Sequence, residues 1–93
     1  MKSIYTIVGM KYRDSAEFVA ALPAGEKMTL IREANNRHDP HAVQVWVQGR
    51  HVGYVKGTEV RQLANKMDAT QRTIIDGRFA VGADRWPQIE VGE

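Results

Sequence analysis

Residues 30–57 read LIREANNRHDPHAVQVWVQGRHVGYVKG, and how this stretch divides decides the fold. Its centre, Asn35 to Val43, packs two histidines, an aspartate, two asparagines and an arginine into nine residues. Such residues bond their own backbone and start turns, so the centre reads as a loop. Before it, Lys27 to Glu33 alternates Met28, Leu30 and Arg32 with Thr29, Ile31 and Glu33, the period of a half-buried strand. After it, AVQVWV and HVGYV are two strands joined around Gln48, Gly49 and Arg50, where Gly49 supplies the freedom of a tight hairpin turn. Val43, Val45 and Val47 share one face of that hairpin; Gln44 and Trp46 share the other.

Working outward, Ile4 to Met10 is rich in β-branched and aromatic residues and reads as a first strand, with Gly9 marking a bulge or a close approach near its end. A short helix follows: Asp14 is placed to cap it, Glu17 stands three residues later, and Phe18 and Leu22 share a face. Pro23 and Gly25 stop it. A second helix begins at a Thr58 cap and repeats Val60, Leu63, Ala64 and Met67 at core spacing. RTIIDGRFAVG, with Gly77 as a kink or bulge, and PQIEV supply the last two strands. The order β, α, β, β, β, α, β, β implies a mainly β, α+β fold: a small, mostly antiparallel barrel or curled sheet of about six strands capped by two short helices, since six short strands would otherwise leave exposed edges. Barrels of this kind often bind single strands on one face.

Ninety-three residues with 43% hydrophobic content build one core, so residues 1–93 read as a single domain. No cysteine is present, which suits a reducing cytoplasm and removes disulfides and thiolate ligands from consideration. The N-terminal run is broken by Tyr5, Thr6 and Gly9 and lacks the pattern of a secretion signal, and no segment has the apolar length of a membrane span. The chain therefore reads as soluble and intracellular. A net charge of +2 is too mild for broad duplex binding, so a nucleic-acid partner requires local positive charge.

His38, Asp39 and His41 raise a metal reading, but they are interrupted by Pro40 and only His51 remains to complete a shell. A catalytic reading would make Asp39 or a histidine a general base, yet no nucleophile motif or phosphate-cradling glycine loop accompanies it. Neither cofactor nor catalysis is expected. MKYR at 10–13 joins a tyrosine to two cations, and GYVKG at 53–57 joins Tyr54 to Lys56. With the loop they offer what a single-strand site needs: cations for phosphates, aromatic faces for bases, and a carboxylate or amide to read an edge or hydroxyl.

The succession VGMKYR, LIREANNRHDPHAVQVWVQGRHVGYVKG and TEVRQLANKM resembles the HIRAN domain, over roughly residues 4–91. The most specific features are the spacing of Glu33, Asn36, Asp39, Ala42 and Val43, and the later Val52, Gly53 and Tyr54. Physically, Asn36 and Asp39 shape a loop while Ala42 and Val43 enter a strand, and Gly53 lets neighbouring backbone come close. The resemblance implies an OB-like barrel that holds the 3′ end of single-stranded DNA and recognises its free hydroxyl. It assigns Lys11 and Tyr12 to backbone and base, and Asn36 and Asp39 to the pocket floor, with Asp39 accepting from the 3′-hydroxyl. His38 stands where related domains carry an aromatic residue, Tyr54 and Lys56 flank the pocket, and Trp86 is either an aromatic wall or a core or edge residue. The family occurs at the N-terminus of fork-remodelling ATPases and as stand-alone bacterial or phage proteins. No motor follows in these residues, so a helicase, ATPase or nuclease partner is implied, in repair or replication. The competing expectation is a protein-docking domain with Trp46 or Trp86 as its hot spot.

Overall fold

The structure, a computed structural model, describes residues 2–92. Six antiparallel strands close into a barrel in the order β1-β4-β3-β2-β5-β6: β1 (Lys2–Val8), β2 (Lys27–Arg32), β3 (Val43–Val47), β4 (Arg50–Val55), β5 (Ile74–Val81) and β6 (Pro87–Gly92). Two helices, α1 (Ala16–Ala20) and α2 (Val60–Ala69), complete it, as the alternation and the helical stripe imply.

The interior is filled by period-two positions. Val43, Val45 and Val47 of β3 point inward beside Met28 and Leu30 of β2, Ile7 of β1 and Ile89 of β6, all essentially without solvent exposure. Val60, Leu63, Ala64 and Met67 bury the expected face of α2 on the same core. In α1 the fully buried residue is Val19; Phe18 and Leu22 pack partly against the core. The β3–β4 turn places both Gln48 (φ 52°) and Gly49 (φ 75°) in the left-handed region, the arrangement whose twist matches two-residue hairpins.

Several local expectations are corrected. The first strand ends at Val8, because Gly9 turns left-handed (φ 80°) and Met10–Arg13 forms one turn of 3-10 helix. Asp14 does not cap α1: it is itself left-handed (φ 53°), and Ser15 occupies the N-cap position. The N-cap of α2 is Glu59 rather than Thr58, and Glu59 is otherwise engaged, its carboxylate accepting from the Thr6 amide (2.7 Å) and hydroxyl (3.0 Å). Gly77 lies at no bulge. It is a crossing point, where a Cβ would stand 2.7 Å from the Ile89 side chain and 2.8 Å from the Glu90 carbonyl.

The bulge falls in β4. Gln44 opposes Tyr54 and Val45 opposes Gly53, but Trp46 opposes His51, so Val52 is the extra residue. Val52 and Gly53 are consecutive buried positions, and a Cβ on Gly53 would lie 2.5 Å from the Val8 carbonyl. A bulged residue loses its ladder partner. Here the fully buried Ser15 hydroxyl donates to the Val52 carbonyl at 2.6 Å, with the Met10 carbonyl at 3.2 Å.

Candidate nucleic-acid interface

The polar loop, residues 33–42, is closed at its base as a strand pair would be. The Glu33 amide donates to the Ala42 carbonyl (2.9 Å), and the Arg32 guanidinium donates to the same carbonyl (3.2 Å). Arg32 also grips Asp68 of α2 through two nitrogens at 3.1 Å, tying the loop to the helix. Within the loop, Asn36 Oδ1 accepts from the amides of His38 (2.8 Å) and Asp39 (3.0 Å). Asp39 Oδ1 in turn accepts from the His41 amide (2.8 Å). Asn36 therefore shapes the loop with its oxygen, whereas Asp39 Oδ2 meets no donor among the described residues.

One carboxylate holds this loop against the barrel. Glu33 Oε2 accepts from Asn36 Nδ2 (2.6 Å), and its Oε1 accepts from the Gln44 amide and from the Tyr54 hydroxyl (3.0 Å). The Gln44 bond, then those of Asn36 and Tyr54, keep the Glu33 carboxyl below its ordinary range against the opposing effect of burial. Burial first, and the bond to Glu33 second, push the Tyr54 phenol up, so it remains a neutral donor.

The loop lies at the shortest seam of the barrel. β1 and β4 pair only at Ile7↔Val55 and Val8↔Tyr54 before diverging. Two open clefts flank Val8 there. One, of about 330 Å³, is lined by Asn36, His38 and Asp39 from the loop and by Tyr54 and Val55 from β4. The other, of about 310 Å³, is lined by Lys56, Trp86, Thr6 and Asp84. Trp86 is neither core nor edge ladder: its indole Nε1 donates to the Ile7 carbonyl (2.8 Å) while 45% of the residue stays exposed.

Six of the eight expected residues thus gather around Val8, and two stand apart. Lys11 lines a separate cleft with Asp14, Glu17 and Phe18, its ammonium 5.1 Å from the Tyr12 ring centroid, and Tyr12 is 83% exposed. From the same turn it is Arg13 that reaches the site, its guanidinium 5.7 Å from the Tyr54 ring centroid. Sequence reading counted Arg13 only among the cations of MKYR, His51 only as a spare metal ligand, Gln44 only by its face and Glu33 only as part of a spacing, and assigned none of them to the site. The outward phase of Gln44 was readable; the others depend on tertiary contacts. Among the described residues no group of three or more His, Asp or Glu side chains is arranged to hold a metal ion, and no helix is long and apolar enough to cross a membrane.

The HIRAN domain family model matches residues 2–89. No curated protein matches the chain. Among solved structures, the fold is similar to a protein from Lactobacillus plantarum at a TM-score of 0.77 and 24% identity, covering 97% of this chain and 94% of that one. It is also similar to the HIRAN domain of human HLTF at a TM-score of 0.71 and 25% identity, covering 96% of this chain and 71% of that one. With the family pattern spanning nearly the whole sequence and the barrel shared with a HIRAN domain of known structure, this chain belongs to the HIRAN domain family.

Proposed function

We propose that this protein is a non-enzymatic DNA-binding module that receives the 3′ end of a single strand in the clefts flanking Val8. HIRAN domains are DNA-binding modules, and the local chemistry supports end recognition in particular. The observation that carries it is Asp39: one oxygen accepts from the His41 amide, the other meets no donor among the described residues, and the residue lines the cleft that Tyr54 and His38 also line. A carboxylate so placed accepts from a 3′-hydroxyl and repels a 3′-phosphate, so it separates a free end from a blocked or continuous strand. Lys56 supplies a cation for phosphate in the adjoining cleft and Trp86 an aromatic wall. Lys11 and Tyr12, exposed on the neighbouring turn, extend the site along the strand, and Asn36 sets the position of Asp39. A helicase, ATPase or nuclease would act as a separate partner in cytoplasmic DNA repair or replication.

Fluorescence anisotropy with short strands ending in a 3′-hydroxyl, ending in a 3′-phosphate, or closed into a circle tests this reading. The free hydroxyl should bind best, and Asp39→Asn should abolish the preference; equal binding of all three strands removes the end-reading mechanism. The exposed Tyr12 and Trp86 favour a second reading, docking of a protein. Recovery of one specific protein after nuclease treatment, with no DNA affinity in the isolated chain, would support it instead.

A further inference from the structure

The β4 bulge has an effect on the outer surface of the barrel. In an unbroken strand His51 and Tyr54, three residues apart, would face opposite sides. With Val52 as the extra residue both face outward, beside Trp46 of β3. The His51 ring stacks on Trp46 at 5.3 Å with 10° between planes, and meets Tyr54 edge-on at 5.0 Å.

We infer that Trp46, His51 and Tyr54 form a second subsite, a stacking track for the bases that lie 5′ of the bound end. The inference rests on the DNA reading above and extends it. Tyr54 also lines the Asp39 cleft, so the track begins where the end site stops. One polar atom of each ring is already engaged by protein. Trp46 Nε1 donates to Gln44 (2.7 Å), His51 Nε2 lies 2.9 Å from the Gly53 carbonyl, and the Tyr54 hydroxyl donates to Glu33. What remains is half-buried ring surface, which stacks on any base without reading its edges.

Charge complementarity favours a nucleic-acid occupant over an apolar one. Arg13 sits against Tyr54, its guanidinium 5.7 Å from the ring centroid. The single carboxylate within the ring network, Glu33, is engaged by three donors. Burial first, then the charge of Arg13, hold the His51 pKa below its ordinary value, so at neutral pH a neutral ring completes the track.

The test is length dependence. Oligothymidylates of two, four and eight nucleotides, all with a free 3′-hydroxyl, are titrated calorimetrically into wild type, Trp46→Leu, Trp46→Phe and His51→Gln. The leucine keeps apolar volume without a π face, and the glutamine can still bond the Gly53 carbonyl. Wild type should gain affinity with length; Trp46→Leu and His51→Gln should lose about 5- to 150-fold on the octamer, the effect of one base–aromatic stack, and little on the dinucleotide. Trp46→Phe should retain most of the octamer affinity. Octamer affinity unchanged in both Trp46→Leu and His51→Gln overturns the track, as does a wild type that binds two and eight nucleotides equally. Asp39→Ala should lose both lengths alike. Binding of no strand by wild type overturns the end-binding reading and the track with it, an outcome distinct from loss of the track alone.

Discussion

Glu33 does more for the site than any residue expected to touch DNA. Its two oxygens hold the loop through Asn36, the β3 surface through Gln44 and the cleft wall through Tyr54. Glu33→Gln keeps the volume but replaces one acceptor oxygen with a donor. It should lower stability by about 1.5–3 kcal/mol, the range for hydrogen bonds to a charged group, and weaken single-strand binding although Glu33 itself is no ligand; thermal melting and anisotropy together check this. His51 makes a separate prediction. Because the folded ring is held below the ordinary 6.5, the unfolded chain takes up the proton first as pH falls. Stability contributed by the neutral ring is complete above 6.5 and declines as pH drops from there through the lowered value. Melting temperature should therefore fall between pH 7.5 and 5.5, and His51→Gln should flatten that slope. Glu33 adds a second decline at more acid pH, its contribution being full above 4.5 and lost as pH falls through its lowered value. Asp39 and Asn36 were readable as loop-shaping residues because their bonds are local, to backbone two and three positions away. Glu33 was readable as a position but not as a hub, since Gln44 and Tyr54 come from other strands.

The elements divide by how local their causes are. α2 was legible because its apolar stripe has the helical period and lies on the buried face. The hairpin was legible because Gly49 suits the left-handed turn it adopts, and Gln48 is carried into the same region (φ 52°). The β4 bulge was not: alternation predicts a regular strand, and the irregularity arises where Val8 of β1 presses on Gly53 and where Ser15 takes the Val52 carbonyl. Ser15 should accordingly matter more than the misplaced Asp14 cap. Ser15→Ala leaves a buried carbonyl without its donor and should cost about 1–3 kcal/mol, whereas Asp14→Asn, at an exposed left-handed position that asparagine tolerates, should change stability by less than about 0.5 kcal/mol. Denaturant unfolding of the two variants separates these outcomes. Gly53→Ala should destabilise by about 1–3 kcal/mol or more, as overpacking does, because the obstructing atom is backbone rather than a flexible side chain.

For the molecule as a whole, closure of the barrel decides where the site sits. Five seams are long, but β1 and β4 separate after Val8 and Tyr54, and the loop, Lys56 and Trp86 meet at that opening. With a net charge of +2 the protein has only local positive charge to offer. Binding of a short strand should consequently fall gently with salt, with a slope of log K against log salt of about −1.4 to −2.1, as expected when two or three phosphates are neutralised on a single strand. Anisotropy titrations at several salt concentrations check this, and a slope several times steeper would point to a broad electrostatic surface instead. The sequence by itself determined the strand and helix order, the inward faces of β3 and α2, and the turn-forming character of residues 35–43, because each follows from the chemistry of residues near one another in the chain. Only the tertiary structure decided that Trp86 roofs β1, that Arg13 rather than Lys11 reaches Tyr54, that Glu33 joins three elements, and that a bulge aligns His51 with Tyr54. Each of those depends on groups far apart in sequence whose meeting is set by closing the barrel, which periodicity does not encode.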